Sequence, residues 1–376
     1  MSNKFIPVCE PFLNGNEEKY VLDALQTGWI SSAGKYIPAF EEKFAEYIGV
    51  KHAIAVTNGT TALHLALVAL GIKNDDEVII PNFTMIASAF AVCYTGAKPV
   101  FVDAEPITWN IDTNLIKEKI TKNTKAIMPV HIWGHPCNMN PIIEIAKKYN
   151  LKIIEDAAES HGATYNNIKC GALSDISCFS FFANKIITTG EGGMVLTNND
   201  DLAEKCRYYK NLCFPLDGKR NYQHNHIGFN YRMSNIIAAI GLAQVEKIDY
   251  YIEKRRTNNE LYKKNLSDTP ELIFQPEESY AKNVYWMNSV VLNKEKTKID
   301  RDTLVFKLKE KGVDTRLFFT GMNKQISLKE YGCIRDNDYP VSDYLTQNGF
   351  YLPSSSHLNE EDIAYICGVI KDIIKN

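Results

Sequence analysis

The chain has 376 residues, is 45% apolar and 23% charged, and carries a formal net charge of −3 at pH 7. Such a chain can build two or three domains around a large core, and its balanced charge argues against a nucleic-acid partner. Nine cysteines without a C-x-x-C pair exclude a disulfide scaffold and a zinc ribbon as first readings. The stretch Met1-Ser-Asn-Lys-Phe-Ile-Pro7 has no apolar signal core, and no apolar run approaches the roughly 18 residues of a membrane span, so a cytoplasmic protein with no membrane partner is expected.

Residues 1–34 read as an arm with one short helix, capped by Asn16 before Glu17-Glu18 and ended by Gly28. A second helix begins near Lys35 and sets Phe40, Phe44 and Ile48 on one face. From residue 52 strands alternate with helices. Strands are predicted at 52–56, 77–80, 98–103, 124–131 and 151–155, and helices after Thr61 and at 84–94, 115–120 and 140–149. That alternation predicts an α/β domain with a mostly parallel sheet. Strands at 176–182 and 194–197, a helix at 200–212 and a polar loop at 215–226 follow. A long helix is predicted from Ser234 to Leu266. Pro270 and Pro276 break the pattern. Strands at 284–292, 313–318 and 349–352 with helices at 301–311 and 360–374 then form a smaller α/β domain. The expected division is an arm at 1–34, a large domain at 35–245, and a linking helix with a small domain at 246–376.

Three stretches carry chemistry. The turn Thr57-Asn-Gly-Thr-Thr61 opens a helix, where free N–H groups and the helix dipole favour an anion; Gly59 permits close approach and Thr60 adds a hydroxyl. An ordinary helix cap is the plainer reading of that turn alone. No P-loop lysine and no G-x-G-x-x-G follow, so nucleotide triphosphates and dinucleotides are poor candidates. Glu155-Asp156-Ala-Ala-Glu159 comes at a strand end, the place where open α/β sheets gather ligands. Asp156 there can hold a protonated ring nitrogen, and Glu159 can reach the same ligand. Lys185 sits between two strands, in Phe179-Ser-Phe-Phe-Ala-Asn-Lys185 before Thr188-Thr-Gly-Glu-Gly-Gly193, as a lysine that forms a Schiff base would. The pairs His131/His135 and His224/His226 lack an H-E-x-x-H pattern or acidic companions, so no metal is expected; His131 is placed to line a pocket.

A phosphate turn, then an aspartate after a strand, then a lysine 29 residues on resembles the fold-type I pyridoxal-phosphate enzymes. Adding Gly28-Trp-Ile-Ser-Ser32, Asn58-Gly-Thr-Thr-Ala-Leu-His-Leu-Ala-Leu67 and Gly228-Phe-Asn-Tyr-Arg-Met233, the chain resembles the DegT/DnrJ/EryC1/StrS sugar aminotransferases over nearly its whole length. The resemblance implies a large mostly parallel sheet domain with a smaller C-terminal α/β domain, and pyridoxal 5'-phosphate as cofactor, with pyridoxamine phosphate as its intermediate form. It implies Lys185 as the Schiff-base lysine, Asp156 on the pyridine nitrogen and Glu159 on the ring-hydroxyl side. Gly59, Thr60 and Ser180 would hold the phosphate, and Asn230 would reach the phosphate of a partner subunit's cofactor, implying a homodimer with shared sites. Trp29, His131 and Arg316 are the implied substrate residues. Two positions depart from the family pattern: Met85 follows Thr84 where an aromatic residue usually stacks on the cofactor, and Asn323 stands where a histidine is usual. The stretch 185–193 is most similar to members that aminate C4 of GDP-4-keto-6-deoxymannose with L-glutamate as donor, giving GDP-perosamine. The alternatives are a 3-keto sugar nucleotide or a small keto phosphate as acceptor, and, less in keeping with Lys185 and Asp156, a non-catalytic member.

Overall fold

The computed structural model describes residues 5–218, 222–333 and 338–375. Parts of the expected arm (1–4) and of the polar loop (219–221) lie outside the described residues.

The arm carries helix α1 (Glu17–Gln26), and α2 (Tyr36–Ile48) buries Phe40, Phe44 and Ile48 as its spacing predicts. Asn16 does not cap α1 with its side chain; Nδ2 donates instead to Glu246 Oε2 at 2.8 Å, while the Gly15 N–H donates to Glu17 Oε2 at 2.7 Å. Strands and helices then alternate: β1 (His52–Val56), α3 (Gly59–Ala69), β2 (Glu77–Pro81), α4 (Ile86–Tyr94), β3 (Lys98–Val102), β4 (Thr124–Ile127), α5 (Met139–Tyr149) and β5 (Lys152–Asp156). A short hairpin, β6 (Thr164–Tyr165) and β7 (Ile168–Lys169), precedes β8 (Ile176–Ser180) and β9 (Gly193–Thr197), followed by α6 (Asp200–Lys210). The expected helix at 115–120 shrinks to one 3-10 turn, Lys117–Lys119, because so few residues cannot offset the cost of helix nucleation.

The large sheet has the order β1-β9-β8-β5-β4-β2-β3. The β8–β5, β5–β4, β4–β2 and β2–β3 pairs are parallel, and β9 runs antiparallel to both its neighbours. Both faces are covered, which is why strands such as β2 and β9 are buried throughout and carry apolar runs at 78–80 and 194–196.

The long helix predicted over 234–266 is two helices, α7 (Asn235–Val245) and α8 (Ile248–Asn265). At the break, Glu246 and Lys247 turn to the arm: Lys247 bonds Asn14, and the neighbouring Gln244 Nε2 donates to the Phe12 carbonyl at 3.1 Å. Beyond α8 come β10 (Leu272–Phe274), β11 (Ala281–Lys282), β12 (Asn288–Leu292), α9 (Arg301–Glu310), β13 (Arg316–Leu317), α10 (Ile326–Glu330), α11 (Pro340–Asn348), β14 (Gly349–Leu352) and α12 (Glu360–Lys375). An antiparallel sheet β10-β12-β14-β13 packs with α8, α9 and α12 around a core of Leu292, Leu308, Phe350 and Ile366. The strand expected at 313–318 is only two residues long here, because Val313 pairs with Ile6 of the arm. The strand expected at 284–292 starts late, because Trp286 gives its backbone N–H to the Trp133 carbonyl at 2.9 Å. Among the described residues no helix is long and apolar enough to cross a membrane.

Candidate active site

A cavity of about 500 Å³ opens where β5 and β8 end and α3 and α4 begin. It lies beyond the carboxyl ends of parallel strands, the expected place for a ligand in an open sheet. One wall is made by Gly59, Thr60, Met85, Asp156, Glu159, Ser180 and Lys185. Trp286, Phe319 and Tyr351 face them from the small-sheet side.

The start of α3 is shaped for an anion. Asn58 Oδ1 accepts the Thr61 N–H at 2.9 Å, and Thr61 Oγ1 accepts the Asn58 N–H at 3.2 Å. This capping box leaves the N–H groups of Gly59 and Thr60 without a carbonyl of their own helix. A Cβ on Gly59 would lie 2.7 Å from Ser180 Cβ, and one on Gly193 would lie 2.3 Å from the Asn58 carbonyl oxygen. Only glycine at both places lets the turn press against β8 and β9, and Ser180 is thereby brought beside the helix start.

Asp156 ends β5 with its side chain buried. Ser88 Oγ, from the first turns of α4, donates to Oδ2 at 2.7 Å, and the Ala158 N–H donates to Oδ1 at 3.2 Å. Burial pushes the carboxyl pKa up; these two hydrogen bonds and the Lys185 charge oppose it. Glu159 accepts the Trp133 N–H at 2.8 Å, and burial pushes it up to about 7 against the pull of Lys185. Lys185 stands half-buried with Nζ 3.7 Å from the Trp286 ring centroid. Burial drives its amine down, and Glu159 and then Asp156 hold it up. Two buried carboxyls with one amine suit a cavity that takes in a cationic group.

Met85 lines the cavity, whereas Phe83 is fully buried among Trp133, Phe318 and Phe319. A cofactor ring here would therefore meet a thioether.

Four expected site residues lie elsewhere. His131 is fully buried and off the cavity wall: its Nδ1 accepts the Cys137 N–H at 3.1 Å, so Nε2–H donates to Glu155 Oε2 at 3.1 Å. Its expected place in the substrate pocket is corrected accordingly. Glu155 also accepts from Gly171, Leu173 and Ser174, so the compact trio His131, Glu155 and Cys170 is accounted for by structural hydrogen bonds. Trp29 is exposed beside Asp23 and Lys35, and Arg316 is exposed with Nη1 2.7 Å from Asp314 Oδ1. Neither reaches the cavity of its own chain. Asn230, also outside, accepts from Arg232 Nε at 2.9 Å. Sequence reasoning missed Ser88, Trp286, Phe319 and Tyr351. Ser88 had a signal, as the polar residue in the apolar start of α4; the aromatic three come from the small-sheet region with no local motif.

The model of the DegT/DnrJ/EryC1/StrS aminotransferase family matches residues 11–371. GDP-perosamine synthase of Caulobacter vibrioides is 45% identical over 370 residues, covering 98% of each chain. GDP-perosamine synthase of Escherichia coli O157:H7 is 44% identical over 369 residues, again covering 98% of each. Among solved structures, DesI in the presence of its TDP-sugar product superposes with a TM-score of 0.91 at 29% identity, covering 100% of this chain and 94% of that one.

Proposed function

We propose that this chain, which belongs to the DegT/DnrJ/EryC1/StrS aminotransferase family, moves an amino group from L-glutamate to the C4 keto group of GDP-4-keto-6-deoxymannose, giving GDP-perosamine. The observation that carries this reading is the joint placement of Lys185, Asp156 and the Gly59–Thr60 turn on one cavity, in a chain 45% identical to a GDP-perosamine synthase across 98% of both lengths.

The residues present fit pyridoxal 5'-phosphate. The Gly59 and Thr60 N–H groups and Ser180 Oγ would hold the phosphate, in a cradle that a Cβ at residue 59 would fill. Asp156, oriented by Ser88 and Ala158, would hold the ring nitrogen, and Glu159 the ring-hydroxyl side. Met85 would cover one ring face. When bound, this cofactor supplies an electron sink for the carbon that loses or gains the amino group.

Lys185 does the proton work. Burial lowers its pKa, which favours the neutral amine that proton transfer needs. In the first half-reaction Nζ takes the proton from the glutamate Cα; in the second it delivers one to C4 of the sugar. Asp156 fixes the charge that favours both transfers. Glu159, near 7, can hold or release a proton beside the ring oxygen. Trp286, Phe319 and Tyr351 line the cavity beside these groups.

A cytoplasmic homodimer with shared sites belongs to the same reading. Asn230 lies outside its own cavity, and Trp29, Ile30, Phe182 and Ile227 leave large apolar side chains exposed for a second copy. The test is incubation with glutamate and GDP-, dTDP- and UDP-4-keto-6-deoxyhexoses, with 3-keto sugar nucleotides and keto phosphates as controls, reading product mass. Amination of the GDP 4-keto sugar is expected; reaction with keto phosphates alone would overturn the reading.

A further inference from the structure

We infer that Trp286 is a positioning residue for Lys185: the face of its indole seats the Lys185 ammonium while that side chain is free of the cofactor and carries a proton. The inference rests on the function proposed above, which requires Lys185 to leave the cofactor and to hold a proton in each half-reaction. Lys185 and Trp286 both line the cavity. Nζ stands 3.7 Å from the ring centroid, well inside the roughly 6 Å over which an indole face attracts a cation. An ammonium has donors and no acceptor, yet Nζ makes no hydrogen bond and no ion pair among the described residues. The indole face is the partner that this structure gives it.

The ring is held in that pose. Its Nε1–H donates to the carbonyl of Asn184, the residue before Lys185, at 2.8 Å. The Trp286 N–H donates to the Trp133 carbonyl at 2.9 Å, and Arg255 Nη1 donates to the Trp286 carbonyl at 2.9 Å. The Trp133 and Trp286 rings stack with centroids 5.7 Å apart. A ring fixed in this way cannot follow the lysine, so the flexible lysine stem comes to the ring. The ring quadrupole attracts an ammonium and gives a neutral amine no comparable attraction. Each half-reaction moves a proton from one carbon to another through Nζ, so the amine is an ammonium in passing in both. A contact that favours the charged form over the neutral one lowers the barrier to taking the proton. Asp156 and Glu159 attract the same charge from the other wall, and the ring fixes where that charge sits.

The test measures the two half-reactions separately, at saturation, in the cofactor-loaded enzyme. It compares wild type with Trp286→Phe, which keeps a ring face and loses the indole N–H, and with Trp286→Leu, which loses both. Trp286→Leu is expected to lower kcat of both halves about 10-fold with KM for either substrate little changed, and Trp286→Phe to recover most of that loss. A loss through KM, a loss in one half alone, a Phe variant as slow as the Leu variant, or no loss in either variant overturns the inference. A crystal structure of wild type with pyridoxamine 5'-phosphate bound tests the same point whether or not the variants fold. It should show Lys185 Nζ within roughly 6 Å of the Trp286 centroid and over its face; Nζ turned away from the ring overturns the inference. All these outcomes leave the proposed function standing. Failure of wild type to aminate any keto acceptor overturns that function and this inference with it.

Discussion

The wall of the cavity formed by β5, β8 and the start of α3 presents charge and backbone dipoles, whereas the facing wall of Trp286, Phe319 and Tyr351 presents aromatic surface and a hydroxyl. The first is set on strand ends and helix caps, with Asp156 held from two sides and Gly59 pressed onto Ser180. The second is assembled from a loop, the segment after β13 and a strand of the small sheet, and is fixed by ring packing such as the stacked Trp133–Phe319 pair at 4.8 Å. The strand wall thus carries the charged and dipolar groups of the cavity, and the facing wall its aromatic surface.

The sharpest perturbation of the strand wall is Gly59→Ala. The new Cβ would meet Ser180 Cβ at 2.7 Å and Ser180 Cα at 3.3 Å, neither of which can rotate away. Overpacking of this kind costs about 2–3 kcal/mol, so cofactor affinity should fall on the order of 100-fold in a cofactor titration. Unchanged affinity would remove the phosphate from this turn.

A smaller effect comes from what backs that wall. His161 is buried among Phe44, Phe179 and Phe181. Neither ring nitrogen meets hydrogen-bond geometry, although the nearby Ser180 backbone slightly favours the charged form. Burial lowers its pKa to about 3. Between about 6.5 and 3 the unfolded chain takes up a proton that the folded chain refuses, so stability falls as pH falls through that window. Unfolding by urea at pH 7.5 and 5.5 should show His161→Phe sparing about 1.4 kcal/mol of the acid loss seen in wild type. His135, lowered to about 4 by burial, pulls the same way in both proteins. Glu159, raised to about 7, has the opposite sign, adding stability below about 4.5 that is lost as pH rises through about 7. Both cancel in the difference. An identical pH response in the variant would mean that His161 is not held neutral.

The mildest change is Met85→Ala. Loss of a thioether cover over the ring should weaken cofactor binding by about 2–10-fold in the same titration, with little effect on the fold, since Met85 is half-exposed. An effect as large as that of Gly59→Ala would give Met85 a structural role instead.

The two walls were also unequally legible in the sequence. The strand wall is coded locally: a turn at a helix start, an aspartate one residue past an apolar strand, and a lysine between two strands can each be read within a few residues. Most of the alternating elements could be read for the same reason. Boundaries failed where distant segments intervene. The helix over 234–266 breaks because the arm binds Gln244 and Lys247, and the strand at 313–318 is shortened because Ile6 pairs with Val313. The aromatic wall depends on such distant contacts throughout, so Trp286 and Tyr351 carried no readable signal. His131 misled because a histidine at a strand end looks the same in sequence whether it faces a pocket or, as here, Glu155 and Cys137.

The most direct test is of Lys185 itself. Purified wild type and Lys185→Ala are each mixed with pyridoxal 5'-phosphate, and visible absorption is recorded before and after adding L-glutamate, followed by turnover with GDP-4-keto-6-deoxymannose. Wild type should develop a visible band that glutamate removes and should aminate the sugar, while Lys185→Ala should show neither the band nor turnover. Turnover retained by Lys185→Ala would contradict the account at its centre.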